Sequence, residues 1–412
     1  MPPVLSWLDN VVSESLDSCI FNDAVDVASN GSSQCQKHAR KCPLILGDTV
    51  PLMFVGKSTF KNLPLLFLEG HENETLQQCG QRCGILAAQT KAFMDIVLEL
   101  DIPVFVLELE SNATAQTLKN CRLLEREFKK RGRAIRTVEI SGADVGIPYG
   151  KSAAYMFGLS PARFNTDQDG ATSWLDRMLG FLERQCDILS RSSIADAVYL
   201  PFSKFLLRDE CDQVMAARKE ILAKAVKPAP IPGQLFQKMA DAGLSPSQCQ
   251  PPSAFLESPW QDAFTDKDIA VLGIIHHTTP AVVATDLSSG APSLMSKEFF
   301  WVGPQIRQYS KYFVWSRQGL LVGEEALNLA CIPVGRFLRA DRILFDRHAQ
   351  VSNQNKVDIA ANAVMGPSVV LCLLAAFHVI PNSAWEFVSH NLGRVRTEDQ
   401  DESLALLCGS CA

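Results

Sequence analysis

The sequence predicts an α/β fold: a doubly wound, mainly parallel sheet with an inserted, irregular second domain. Three observations carry that expectation. Short β-like runs alternate with longer helical patterns up to about Ser160, the rhythm that covers both faces of a parallel sheet with helices. The alternation breaks between about Arg163 and Pro304, where helical pieces are divided by Pro- and Ser-rich stretches. Ordered character returns from about Ser316 and ends in an uncharged helical stretch able to fold back onto the first sheet.

The elements follow in order. SCIFNDAV and PLILGD read as strands that end in the acidic residues Asp23 and Asp48, LPLLFLEG as a third strand, and DIPVFVLELE as a fourth. Between the last two, CGILAAQTKAFMDIVLEL has apolar residues at helical spacing. LKNCRLLEREFKKRGR is an amphipathic helix with a strongly basic face, and RAIRTVEISGADVG and AAYMFGLS supply further strands. Beyond them lie the helical pieces TSWLDRMLGFLERQCDIL and RDECDQVMAARKEILAKAV, the linker KPAPIPG and the loop LSPSQCQPPS. The expected division is a sheet domain from residues 1–162 and 305–395, an inserted domain from 163–304, and a tail from 396–412.

Composition bounds the class. A chain of 412 residues with 47% hydrophobic and 20% charged residues can bury a sizeable core, which excludes a disordered chain and a small disulfide scaffold. The formal charge is 39 − 45 = −6, so the total calls for no polyanionic partner, and any such partner must meet a local basic concentration. The 13 cysteines have no repeating spacing, and the start MPPVLSWLDN lacks a basic segment followed by an apolar one. Reduced thiols and an intracellular site, nucleus or cytoplasm, are therefore expected, and the sequons at Asn30, Asn73 and Asn112 read as chance. Ile359 to Ile380 carries no Asp, Glu, Lys or Arg, yet Asn362, Gly366, Pro367, Ser368 and His378 interrupt it; the expectation is a buried helix of a soluble protein, without a membrane span.

In an open parallel sheet, ligands bind beyond the carboxyl ends of the strands. Asp23 and Asp48 stand at such ends; each is suited to ribose hydroxyls or an adenine amine, and equally to capping the next helix. Glu108 and Glu110 share one side of VFVLELE, either as acids at a buried strand end or as solvated rim charges. The pairs Cys79/Cys83 and Cys408/Cys411 lack the second half of a zinc site, and His276 and His277 lack a third ligand, so no metal is expected. Lys119, Arg122, Arg126, Lys129, Lys130, Arg131, Arg133 and Arg136 form the strong basic concentration, a solvated face or one that meets phosphates.

Taken together, these pieces resemble the cytosine-5 DNA methyltransferase family. Its members carry a Gly-rich motif for S-adenosylmethionine, strand-end acids, a Pro-Cys-Gln nucleophile loop, a Glu-Asn-Val strand, a Gln-x-Arg-x-Arg strand, a target-recognition domain and a closing Gly-Asn-Ala-Val segment. Residues Cys83 to Leu86 and the following helix resemble the family's Arg-Gly-x-Leu helix, and VFVLELE resembles Phe-Leu-Leu-Glu-Asn-Val. ADVGIPYGKSAAYMFGL resembles Ala-Asp-Tyr-Gly-Val-Pro-Gln-x-Arg-x-Arg-x-x-x-x-Gly in order and spacing. TTPAVVATD, LLVGEEALNLACIP (keeping Glu325 and Pro333) and AANAVMGPSVV (keeping Asn362) resemble later segments.

The resemblance implies an S-adenosylmethionine-dependent methyltransferase-like sheet and DNA as partner. It implies cofactor contacts from Asp23, Asp48 and Asn362, a phosphate contact from Lys151, and Glu108 as the catalytic acid. In that chemistry a cysteine thiolate adds to C6 of a flipped-out cytosine, a Glu supports protonation at N3, and C5 takes the methyl group. The chain departs from the pattern where the nucleophile should stand. Pro-Cys-Gln is absent, Asn73 falls near its place after LPLLFLEG, and Cys79 is the nearest sulfur. The clamp positions read Tyr149, Lys151 and Ala153, and no Gly-rich loop precedes Asp23. Two functions are therefore carried forward: a divergent cytosine-5 methyltransferase, and a catalytically inactive homologue acting as a nucleic-acid-binding or regulatory scaffold.

Overall fold

The computed structural model describes residues 28, 32–35, 40–43, 52–58, 63–67, 74–110, 115–147, 152–191, 202–224, 231–245, 247, 258–278, 282–288, 294–296, 311–331, 352–362 and 366–391. A short antiparallel pair, β1 (Ser32–Cys35) and β2 (Arg40–Pro43), precedes the principal sheet. That sheet has four strands, β3 (Met53–Ser58), β4 (Val104–Glu110), β5 (Ala134–Ser141) and β6 (Ser152–Leu159), in the order β3-β4-β6-β5.

The α/β class holds, but the sheet is mixed. β3 and β4 are parallel, while β6 lies between β4 and β5 and runs antiparallel to both. Parallel neighbours need a long crossover. β5 and β6 instead pair with each other directly and run antiparallel. A second correction concerns LPLLFLEG. Leu63–Leu66 is a single helical turn, and the strand beside β4 is MFVGKS. A short apolar run does not distinguish strand from helix by itself.

Alternation along β4 decides which neighbours it meets. Phe105, Leu107 and Leu109 enter a core with α1 (Leu76–Cys83), α2 (Ile85–Glu99) and α3 (Ala115–Lys130). Val104 and Val106 point to the opposite face and a second core. Thr75 caps α1 in a reciprocal box: its hydroxyl accepts from Gln78 N–H at 3.3 Å, and its own N–H donates to Gln78 Oε1 at 2.9 Å. Gly84, at φ 90°, makes the break between α1 and α2 in a region that side chains avoid.

The second face is covered by α4 (Gln168–Arg191), which places Ala171, Leu175, Met178 and Leu182 against Val104, Tyr155 and Phe157 of the sheet. Packing therefore joins this helix to the principal sheet, although its sequence lies within the stretch expected as the insert. Further along come α5 (Asp212–Ala223), α6 (Gly233–Asp241) and α7 (Asp266–Thr278). They form a third core with Trp260, Phe264 and Phe313. A smaller antiparallel sheet, β7 (Val282–Asp286), β8 (Leu294–Ser296), β9 (Tyr312–Val314) and β10 (Gly319–Leu320), runs in the order β10-β9-β7-β8. Tyr312 and Val314 join the core on the principal sheet while Phe313 joins the third, so β9 ties the two together.

α8 (Gly323–Leu329), α9 (Asn353–Asn362), α10 (Gly366–Val379) and α11 (Asn382–Asn391) return to the principal sheet. The stretch Asn353–Val379 is long and apolar enough, by length and composition, to cross a membrane. Val369, Cys372, Ala375 and Ala376 of α10 pack into the core, whereas Val370, Leu374 and Phe377 are exposed. Glu325, at the start of α8, is buried with Arg317. The guanidinium donates to both carboxylate oxygens at 2.8 and 2.6 Å and meets Asp209 at 2.5 Å. Glu325 also accepts from Val322 N–H and Leu207 N–H, so one carboxylate joins three chain segments.

Candidate functional site

The site begins with Glu108 in the carboxyl half of β4. Because side chains alternate, Glu108 shares the face of Val104 and Val106, and it is fully buried. Its register partner on β6 is Tyr155, also fully buried, whose hydroxyl donates to Glu108 Oε2 at 2.9 Å. Burial, and then the negative charge of Glu108, push the Tyr155 phenol well above its ordinary range. The phenol is thus a neutral donor at any physiological pH.

α10 closes over this pair. Ser368 in its first turn and Cys372 one turn later are both buried and stand next to the Tyr155 phenol. Segments more than 200 residues apart thus meet at one acid. Tyr155, Ser368 and Cys372 were not singled out from the sequence. The available signal was that Tyr155 lies two residues after Ala153, and hence on the same face of β6, while Ser368 and Cys372 are spaced as one helical turn.

Cys79 stands elsewhere. It lies on α1 with Cys83 one turn later, both buried in the core that contains Phe105, Leu107 and Leu109. The sheet separates it from Glu108. Burial, followed by the neighbouring Cys83 and Glu74, raises the Cys79 thiol to about 11, the opposite of the activation a nucleophile requires. The nearby cation, Arg82, is engaged with Glu74, donating from Nη2 at 2.6 Å and from Nε at 3.0 Å.

Asp23, Asp48, Asn73 and Lys151 lie outside the described residues, as does the side chain of Asn362, whose backbone ends α9. Of the expected site residues, the structure therefore places Glu108 and Cys79, and does not bring them together. The position of Asn73 in the pattern depends on a strand at LPLLFLEG, where Leu63–Leu66 is a helical turn. β3 ends at Ser58 instead, and the sequence from residue 59 to Thr75 contains no cysteine.

The basic concentration also divides. Arg133 is buried; it donates to the carbonyls of Ile102 and Val97 at 3.1 and 2.8 Å and pairs with Asp101 at 2.9 Å. It closes the end of α2 instead of facing solvent, and burial lowers its pKa. Arg136 is held by Asp176 at 2.5 and 2.9 Å. Lys119, Arg122, Arg126, Lys129, Lys130 and Arg131 remain exposed.

A cleft of about 610 Å³ opens near the amino ends of β4 and β5, lined by Asp101, Arg131, Arg133, Ser160, Asp167 and Gln168. Its central charges are mutually paired: Asp101 meets Arg133 and Arg163, and accepts from the Ser160 hydroxyl at 2.6 Å. Among the described residues, no group of three or more His, Cys, Asp or Glu side chains is placed to hold a metal ion. No protein-family model matches the chain, and no curated protein matches it.

Proposed function

We propose that this chain is a divergent cytosine-5 DNA methyltransferase-like protein that retains the acid-bearing sheet but has lost the covalent methyl-transfer step, and that it acts as a nucleic-acid-binding or regulatory scaffold. One observation carries the reading: Glu108 sits in the strand that resembles the family's acid strand, but the thiol placed near it among the described residues, Cys372, belongs to α10 and not to the segment after β3 where the nucleophile is expected. The sequence from β3 to Thr75 has no cysteine, and Cys79 lies across the sheet, buried and protonated.

Methyl transfer to cytosine C5 needs a nucleophile added at C6, because only the adduct makes C5 reactive enough to take the methyl group. A carboxylate alone does not supply that activation. In this reading Glu108 is instead a structural acceptor, satisfied by Tyr155 beneath α10. The expected S-adenosylmethionine contacts Asp23, Asp48 and the Asn362 side chain lie outside the described residues.

The test is a duplex containing 5-fluorocytosine, incubated with the full chain and S-adenosylmethionine. The expected outcome is no denaturant-stable protein–DNA adduct and no methyl transfer to an ordinary duplex. An adduct that forms with the native chain and disappears in Cys79→Ser would overturn the proposal in favour of a displaced nucleophile. Calorimetry with S-adenosylmethionine then separates the scaffold that keeps its cofactor, weakened by Asp23→Ala, from one that does not.

A further inference from the structure

α3 divides its circumference between core and solvent. At 100° per residue, Cys121, Leu124 and Phe128 lie within about 60° of one another and are buried against the sheet. On the opposite side, Lys119, Arg122, Arg126, Lys129 and Lys130 fall within an arc of about 100°. All five are exposed, and Arg126 and Lys130 are each 61% accessible. Glu125 and Glu127 stand at the two edges of the arc, where Glu125 meets Lys129 at 3.7 Å and Glu127 meets both Lys130 at 3.0 Å and Arg126 at 3.4 Å. Lys119 and Arg122 have no ion-pair partner among the described residues. Arg131 extends the row just past the helix.

From this arrangement we infer that the outer face of α3 is a docking surface for the phosphate backbone of a nucleic-acid duplex, read without regard to sequence. From Lys119 to Lys130 the row is about 16 Å long at 1.5 Å per residue. One strand of a duplex presents a phosphate every 3.4 Å or so along its axis, so about five phosphates lie alongside five cations. The other anionic partners fit less well. A membrane-surface helix needs a free apolar face, and the apolar face of α3 is spent in the core. A protein interface centres on apolar or aromatic anchors, and single-stranded nucleic acid on aromatic platforms, and the arc carries neither. Against the acidic total of −6, the row is a local concentration of positive charge. The inference does not rest on the methyltransferase reading, since the row lies on the face of the sheet opposite Glu108.

The experiment is fluorescence anisotropy of a labelled mixed-sequence duplex titrated with the full chain, repeated between about 50 and 200 mM salt. The triple variant Lys119→Glu, Arg122→Glu, Arg126→Glu should weaken binding more than tenfold and flatten the plot of log affinity against log salt by about three units. Arg177→Glu with Arg184→Glu, exposed on α4, should change affinity little, and thermal melts should show each variant folded. The inference is overturned if the native chain does not bind the duplex or if the triple variant binds as the native chain does. It is overturned equally if Lys151→Glu abolishes binding that the triple variant retains, which places the duplex at the methyltransferase-like edge. Tighter binding to phosphatidylserine vesicles or to polyglutamate than to the duplex also overturns it.

Discussion

Tyr155 and Glu108 face one another across the pairing of β6 with β4, and the phenol donates to the carboxylate at 2.9 Å in a fully buried setting. Tyr155→Phe keeps the ring and removes this donor from a buried acid, so it should destabilise the fold by about 1–3 kcal/mol. Urea unfolding measures the change. A midpoint equal to that of the native chain would show that the hydrogen bond contributes nothing.

Arg317 and Glu325 predict a larger, non-additive response. Arg317→Met leaves Glu325 buried without its cation and should cost about 3–5 kcal/mol, whereas Arg317→Met combined with Glu325→Leu should cost less than the first change alone. A double-mutant cycle by denaturant unfolding reads this coupling. Simple additivity would refute it.

Close approach at Gly158 gives a steric prediction. A Cβ there would run into the Phe105 ring and, at 2.7 Å, Ile135 Cδ1. Gly158→Ala should destabilise by about 1–3 kcal/mol through overpacking. Gly233→Ala, where nothing lies within 4 Å, should unfold at nearly the native midpoint. Equal losses at both positions would contradict the packing described.

Stability should fall in alkali. Burial raises the thiols of Cys79, Cys121 and Cys331 to about 11 from an ordinary value near 9. The folded state therefore holds these protons more tightly than the unfolded state. Their contribution is fully present below about pH 9 and is lost as pH rises to about 11, at up to about 2–3 kcal/mol per thiol. Unfolding free energies measured across that window should decline, and Cys79→Ala should make the decline shallower whatever its effect at pH 7. An unchanged slope would remove Cys79 from the account.

Periodicity made α2, α3, β5 and β6 legible in the sequence, because a regular amphipathic pattern has few ways to bury itself. It missed β3, whose MFVGKS mixes Gly, Lys and Ser with apolar residues, and it misread the contiguous apolar run at Leu63–Leu66. Counting charges found the basic helix but could not separate Arg133 from its exposed neighbours. That separation depends on which carbonyls at and just beyond the end of α2, those of Val97 and Ile102, the Arg133 guanidinium reaches.

The candidate site divides in the same way. Glu108 was legible as an acid near the end of an apolar strand. Its partner was not, because the pairing of Glu108 with Tyr155 is a matter of strand register, and the cover by Ser368 and Cys372 depends on a helix returning from the far end of the chain. Cys79 shows the same limit from the other side. Its place as the nearest sulfur to the expected nucleophile loop suggests that it could serve Glu108, but alternation along β4 turns the acid toward one core while α1 buries the thiol in the other. Local pattern selects elements because each residue's preference acts within a few positions, whereas the meeting of functional groups is decided by which faces are buried together, a property of the whole packed chain.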